Sequence, residues 1–306
     1  MSMRSREGFA LVAILWVLTV ASVLGAGAAL QGREAYNVSR NRLNAERAYW
    51  VAEGCVAEVL ASADGILASS TEVQQPRVWR TIDVSIDSAT VALSSECEVG
   101  MRAMGSRIDV NGASETLLRK YFVEAVGSTE GGAMSDALLD WRDADVDVRS
   151  AGAEEAWYMT NERPSPRNAA FAAEGELQLV RGLESRPELT AHLTVNSSLI
   201  CLATAPAPVL AALPGFTEEV VERVLADRAA GRPMIELRDL MTGVSRAAAE
   251  SLVVHFSELS ILTTLEPRGW ELTVRAVAGF PSVTVTSEVW FDRYGDHVVV
   301  LRRRTQ

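Results

Sequence analysis

Between residues 140 and 155 the chain carries a dense group of carboxylates: Asp140, Asp143, Asp145 and Asp147, then Glu154 and Glu155 after Gly152. A calcium ion takes roughly six to eight oxygen ligands, and closely spaced carboxylates on a turn supply several of them. The positions of the glycine and the final glutamate are not those of an EF-hand. The same run also reads as a solvated acidic loop whose aspartates cap helix ends. Spacing alone leaves the two readings level.

Other chemistry is sparse. There is no nucleophile elbow, phosphate loop or zincin motif. His192, His255 and His297 lie in separate segments. None has a Cys, Ser or carboxylate arranged with it as a triad. The expectation is a protein that is not an enzyme. Cys55, Cys97 and Cys201 form no C-x-x-C or zinc-spaced pair. A Cys55–Cys97 bridge is one option in an oxidising compartment. The odd count leaves one thiol free in any case, and three unpaired, small apolar cysteines are the expectation.

The segment VLAALPGFTEEVVERVLADR, followed by GRPMIELRDL, resembles a helix-hairpin-helix unit, a device that often aims backbone N–H groups at a DNA phosphate. Here the hairpin runs into Thr217, Glu218 and Glu219. Residues 205–250 hold seven acidic side chains against five arginines. A phosphate would meet net negative charge, so this copy reads as structural and no nucleic acid is expected. VNGASETLLRKYF looks like the start of a related, degenerate copy.

These residues must be positioned by a chain of 306 residues with 48% apolar and 23% charged side chains. That is the composition of a folded protein. The net charge of −11 argues against sequence-independent binding to phosphate backbones or anionic lipid surfaces. Residues 9–30 read FALVAILWVLTVASVLGAGAAL, an uncharged run. As a helix it is about 33 Å long, enough to cross a bilayer. Arg4 and Arg6 precede it and keep that end cytoplasmic. A signal peptide cut near Ala26-Gly27-Ala28, a plain anchor, and a short basic leader cut between Gly8 and Phe9 all fit this start. The continuation of the chain favours the leader. No proline occurs before Pro76, and Tyr36, Leu43, Trp50 and Ala57 recur every seven residues. The pattern marks one face of a continuing helix, about 50 residues in all. That helix resembles the spine of type IV pilins and pseudopilins.

After Pro76, strand-like alternation covers residues 78–86, 90–97 and 99–110. Helical signals then run to about residue 260. Ser114 is a good N-cap for ETLLRKYFVEAV, and Ser135 opens SDALLDWRDA. EGELQLVRG, APAPVLAALPG, TEEVVERVLADRAAG and IELRDLM come next as short helices between glycine and proline turns. Strands return in WELTVRAVA, SVTVTSEVWF and HVVVLRRR, with turns at residues 279–281 and 293–296. Early strands, a helical block and late strands predict an α+β fold: a long N-terminal helix, an antiparallel sheet and an all-α insertion with helix-hairpin-helix-like repeats.

Taken together, the Gly8-Phe9 leader, NAERAYWVAEG, RIDVNGASETLLR, LLDWRDAD with GAEEAWY, NAAFAAEGELQLVRG, TAPAPVLAALPG and the closing strands resemble the K-type minor pseudopilins of type II secretion. The resemblance covers nearly the whole chain, and it rests on the order of the motifs more than on any one of them. It implies a leader at residues 1–8, a transmembrane half-helix at 9–30, and the rest of the helix with the first strands of a pilin-like domain at 31–110. The α-helical insertion then occupies 111–262, and the strands completing the pilin-like domain 263–306. It further implies cleavage by prepilin peptidase, N-methylation of Phe9, an inner-membrane anchor with a periplasmic body, and contact with the inner-membrane secretion platform. It implies a filament-tip complex with I-type and J-type minor pseudopilins, and calcium held by Asp140, Asp143, Asp145 and Glu154, with Asp147 and Glu155 as neighbours. Most pilins carry glutamate at mature position five, whereas counting from Phe9 that position here is Ala13. This departure is shared by K-type subunits. VNSSLICLATAPAPVLA carries several more residues than the family's second repeat, which puts family contacts there in doubt. A membrane-anchored helix-hairpin-helix DNA receptor of the competence type and a minor pilin of a type IV pilus are the alternatives.

Overall fold

The computed structural model describes residues 5–62, 78–88, 91–196, 198–294 and 297–305. The first four residues of the expected leader therefore lie outside the described residues, as do Gly295 and Asp296 of the last expected turn.

Helix α1 (Ser5–Ala61) is unbroken. No proline or capping signal interrupts its apolar and alanine-rich run. Its N-terminal part is long and apolar enough to cross a membrane. Its mean hydropathy reaches 2.2 over a window of 18 residues, none of them buried in the protein. The C-terminal part is different. Ala48, Val51, Ala52, Cys55, Val56 and Val59 are all buried, and they recur at helical spacing. The seven-residue series Tyr36, Leu43 and Trp50 lies elsewhere on the same helix and is exposed.

The helix packs on an antiparallel sheet of β1 (Val78–Ser88), β2 (Val91–Ala103), β7 (Gly269–Ala278), β8 (Val283–Tyr294) and β9 (His297–Thr305), in the spatial order β1-β2-β7-β8-β9. The sequence pattern divides β2 after Cys97, but the strand runs straight through. Glu98 takes the outward position between buried Cys97 and buried Val99, so its charge is compatible with the pleat. Val99, Met101, Leu272, Val274, Ala276, Val289 and Phe291 form one core with the helix. Burying a valine or leucine fully contributes about 1.5–3 kcal/mol, so this interlayer core outweighs any single polar contact across it.

The core also contains a correction. Cys55 on α1 and Cys97 on β2 are joined by a disulfide, with their Cα atoms 6.7 Å apart, and only Cys201 is a free thiol. The expectation of three unpaired cysteines fails because α1, packed mainly on β7 and β8, also brings Cys55 on its buried face to Cys97 on the neighbouring β2. The two thiols are 42 residues apart in sequence, so their meeting is a tertiary event.

β2 pairs directly with β7, from Cys97↔Ala276 to Ala103↔Trp270, so everything between them loops out of one strand junction and returns to it. That excursion contains β3 (Ile108–Asp109), α2 (Glu115–Val126), α3 (Ser128–Arg142), α4 (Glu155–Thr160), α5 (Pro187–Thr190), β4 (Leu193–Thr194), β5 (Ile200–Cys201), α6 (Ala207–Ala212), α7 (Glu218–Ala229), α8 (Arg246–Val254), α9 (Phe256–Leu262) and β6 (Thr263–Thr264). It has a core of its own, around Leu118, Phe122, Leu138, Tyr158, Leu177, Leu210, Val220 and Leu259. Two short parallel pairings, β3 with β4 and β5 with β6, tie each of its ends to its middle.

Ser114 caps α2 as its position predicts. Its hydroxyl accepts the Leu117 N–H at 3.2 Å. Ser135 does not open a helix. α3 begins at Ser128, two turns earlier, and Ser135 is fully buried within it. The glycine pair Gly131-Gly132 hides this extension from propensity, while packing against α2 supplies it. EGELQL and LRDLM form 3-10 turns, Glu174–Leu179 and Leu237–Met241, where the sequence predicts short α-helices.

Candidate functional site

The acidic segment begins on the last turn of α3 and ends at the first turn of α4. Asp140 faces inward and is fully buried, and Asp143 caps the C-terminus of α3 through its N–H to Leu139 O. The loop then folds back so that the Arg149 N–H donates to both Asp140 oxygens, at 3.4 and 3.3 Å. The Arg149 guanidinium lies between the aspartates, with Nε 3.5 Å from Asp140 Oδ1 and Nη2 3.2 Å from Asp143 Oδ2. Gly152 is required here. A Cβ at that position would stand 1.9 Å from Asp140 Oδ2. Glu154 precedes α4 and is 6% exposed.

Electrostatics show what the loop has brought together. Burial pushes the Glu154 carboxyl above its ordinary range, and the charges of Asp140, Asp143 and Asp145 push it further. Asp140 is raised by burial against the opposing pull of Arg149, and Asp143 by burial and by Asp145. Neither Glu154 carboxylate oxygen has a hydrogen-bond partner, and Asp143 Oδ1 lacks one as well. Buried carboxylate oxygens without partners are costly. They are the donor set a hard cation takes. As the side chains stand, no three metal-ligating groups converge on one point among the described residues.

The other acidic positions divide. Asp145 is exposed and closes a local turn by accepting the Asp147 N–H at 2.9 Å. Asp147 and Glu155 are exposed, unlike the cluster's buried members. Asp136, which the sequence reading passes over, organises the loop from below. It lies one turn before Asp140 on α3 and accepts from Arg119, from Ser150 Oγ at 3.3 Å and from the Ala151 N–H at 3.2 Å. Its four-residue spacing from Asp140 is the signal that marks it. Arg142 turns the opposite way and donates to the Val110 and Ala113 carbonyls. Trp141 stacks on Phe171 and meets Tyr158 edge-on, which seats the end of α3 in the core.

Gly8 and Phe9 lie in the first turns of α1, and Ala13 is an exposed residue on the same apolar stretch. The hairpin between α6 and α7 is enclosed. Lys120 Nζ donates to Leu213 O at 2.7 Å and to Phe216 O at 3.1 Å. Gly215 has φ 73°, and a Cβ there would sit 2.8 Å from Ser251 O. Glu219 holds the N–H and hydroxyl of Ser245, both at 2.6 Å, so the acidic start of α7 anchors α8. The unit serves the scaffold, and its tip is covered by α2 and α8.

The region from the end of β3 through β4, which contains the acidic loop, matches the family model for protein K of the type II secretion system, over residues 110–195. That segment is therefore similar to the K-type proteins of the type II secretion system. A chain of the GspK-GspI-GspJ complex from the enterotoxigenic Escherichia coli type 2 secretion system shares the fold found here, with a TM-score of 0.62 at 14% identity. The match covers 88% of this chain and 99% of that one. No curated protein matches the sequence. The K-type match falls on the insertion, the part that distinguishes this chain from a bare helix-and-sheet pilin. It favours secretion over both the competence receptor and the type IV pilus reading.

Proposed function

We propose that this K-type pseudopilin sits at the tip of the type II secretion pseudopilus, where it joins I-type and J-type minor pseudopilins and starts the filament used for protein export. One observation carries the tip reading: the insertion leaves the sheet at β2, returns at β7 and builds a second core of its own. A head enlarged in this way would obstruct regular stacking along a shaft but fits at an end. Ala13 supports the same reading. A carboxylate within the apolar helix bundle is costly unless it is paired, and this chain has none at the position where most pilins use one to recruit the next subunit. The exposed Tyr36, Leu43 and Trp50 offer α1 an apolar face for neighbouring subunits' helices. The role is structural, not catalytic.

The processing steps belong to the same reading. Prepilin peptidase cuts between Gly8 and Phe9, the Phe9 amine is methylated, α1 stays in the inner membrane near the secretion platform, and the remainder lies in the periplasm. Calcium is held by Asp140, Asp143, Asp145 and Glu154, with the unpartnered oxygens of Glu154 and Asp143 as the support for that assignment. The ion would neutralise the buried carboxylates and fasten the loop to the end of α3.

The test is to mix the full-length protein, in detergent, with its I-type and J-type partners. A one-to-one-to-one complex is the expected result. Incorporation along the whole length of a filament overturns the tip assignment.

A further inference from the structure

The metal reading leaves Arg149 unexplained. Its side chain is one-third exposed, yet its guanidinium turns inward to contact both Asp140 and Asp143. The fit is poor. Arg149 Nε is buried and makes no hydrogen bond, Asp143 Oδ1 makes none, and neither oxygen of Glu154 makes one. Arg142, the other guanidinium at this end of α3, is committed to the Val110 and Ala113 carbonyls. The Arg149 guanidinium therefore meets Asp140 and Asp143, and leaves Asp143 Oδ1 and both oxygens of the neighbouring Glu154 without a hydrogen-bond partner. The guanidinium also explains why no three carboxylates converge among the described residues: it stands between two of them.

We propose that Arg149 is a tethered counter-cation that occupies the calcium position in the metal-free chain, and that calcium binds by displacing it. This rests on the calcium assignment above. The backbone N–H of Arg149 remains on Asp140 throughout, so the loop keeps its anchor while the side chain exchanges with the ion. Arg149 holds the loop folded before calcium arrives, because buried carboxylates without any cation repel one another. It also weakens calcium binding, since the ion must displace a charge already in place. Calcium then binds as a threshold event tuned by this one side chain.

Calorimetric titration of calcium into the full-length protein in detergent, compared with Arg149→Gln and Arg149→Lys, tests the proposal. The glutamine variant is expected to bind calcium at least about tenfold more tightly, from the loss of a competing charge at contact distance. The lysine variant is expected to stay within about threefold of the parent, because the charge is kept. Melting curves give a second readout. Arg149→Gln melts below the parent in chelator, and the gap closes or reverses in excess calcium, whereas a purely structural arginine would leave the same gap in both. If the parent binds calcium and Arg149→Gln binds equally or more weakly, the counter-cation proposal is overturned and the calcium site stands. If neither protein binds calcium, the calcium site itself is overturned.

Discussion

Arg107 and Glu271, 164 residues apart, meet at the junction of the insertion and the sheet, with Arg107 Nη2 donating to Glu271 Oε2 at 2.6 Å. Both side chains are almost fully buried, and Arg107 Nη1 also reaches Glu174 at 2.7 Å and Leu193 O at 3.3 Å. One guanidinium thus ties β7 of the pilin-like sheet to the 3-10 turn and β4 of the insertion.

Removing one partner of this pair should be expensive. Glu271→Ala deprives a buried guanidinium of its buried counter-charge and is expected to destabilise the fold by on the order of 3 kcal/mol. Replacing both with Arg107→Leu and Glu271→Leu should cost much less, since the buried charges go together. Denaturant titration of the parent, the single and the double variant checks this. Equal losses for the single and the double variant would show that the pair holds the junction by packing alone.

The Cys55–Cys97 bridge predicts a thiol count. Under denaturing, non-reducing conditions the chain should react with one equivalent of thiol reagent, at Cys201, and after reduction with three. Reduction, or Cys97→Ala, should lower stability by about 2–4 kcal/mol through the freed loop between helix and sheet. Three reactive thiols before reduction would remove the bridge.

His192 makes stability depend on pH. Burial lowers its pKa below the ordinary 6.5, and its Nδ1 sits 3.1 Å from the Tyr121 hydroxyl, which donates to Leu189 O at 2.8 Å. The unfolded chain takes up a proton near pH 6.5 while the folded chain resists it, so falling pH favours unfolding. The stability held by neutral His192 is full above about pH 6.5 and is lost as the pH drops toward the lowered folded value. Melting temperatures between pH 7.5 and 5 should fall less steeply in His192→Gln. Parallel curves would assign the acid sensitivity to other groups.

Maturation gives the simplest measurement. Mass analysis of the chain from membranes should find a mature N-terminus at Phe9 carrying one added methyl. A start near Ala29 would make residues 1–28 a signal peptide and remove the pseudopilin processing route.

Local, periodic features were legible in the sequence alone. The apolar run from Phe9 to Leu30, the continuing helix, the Ser114 cap, the returning strands after Trp270 and the helical block between them each rest on neighbours a few residues apart. The acidic residues could be named there, but not sorted. Asp140 and Glu154 end up buried, and Asp147 and Glu155 exposed, only because Arg149 and Asp136 fold the loop back onto α3. Ser135 reads as a helix start because Gly131 and Gly132 depress propensity, and packing against α2 overrides them. The Cys55–Cys97 bridge was one option among several in the sequence, and the Arg107–Glu271 pair and the cover over the hairpin at Gly215 had no sequence signature. Each joins groups tens to hundreds of residues apart, and their meeting is set by how α1 packs on the sheet and how the insertion returns to β7. Spacing along a chain carries no information about contacts of that range, so only the packed structure decided them.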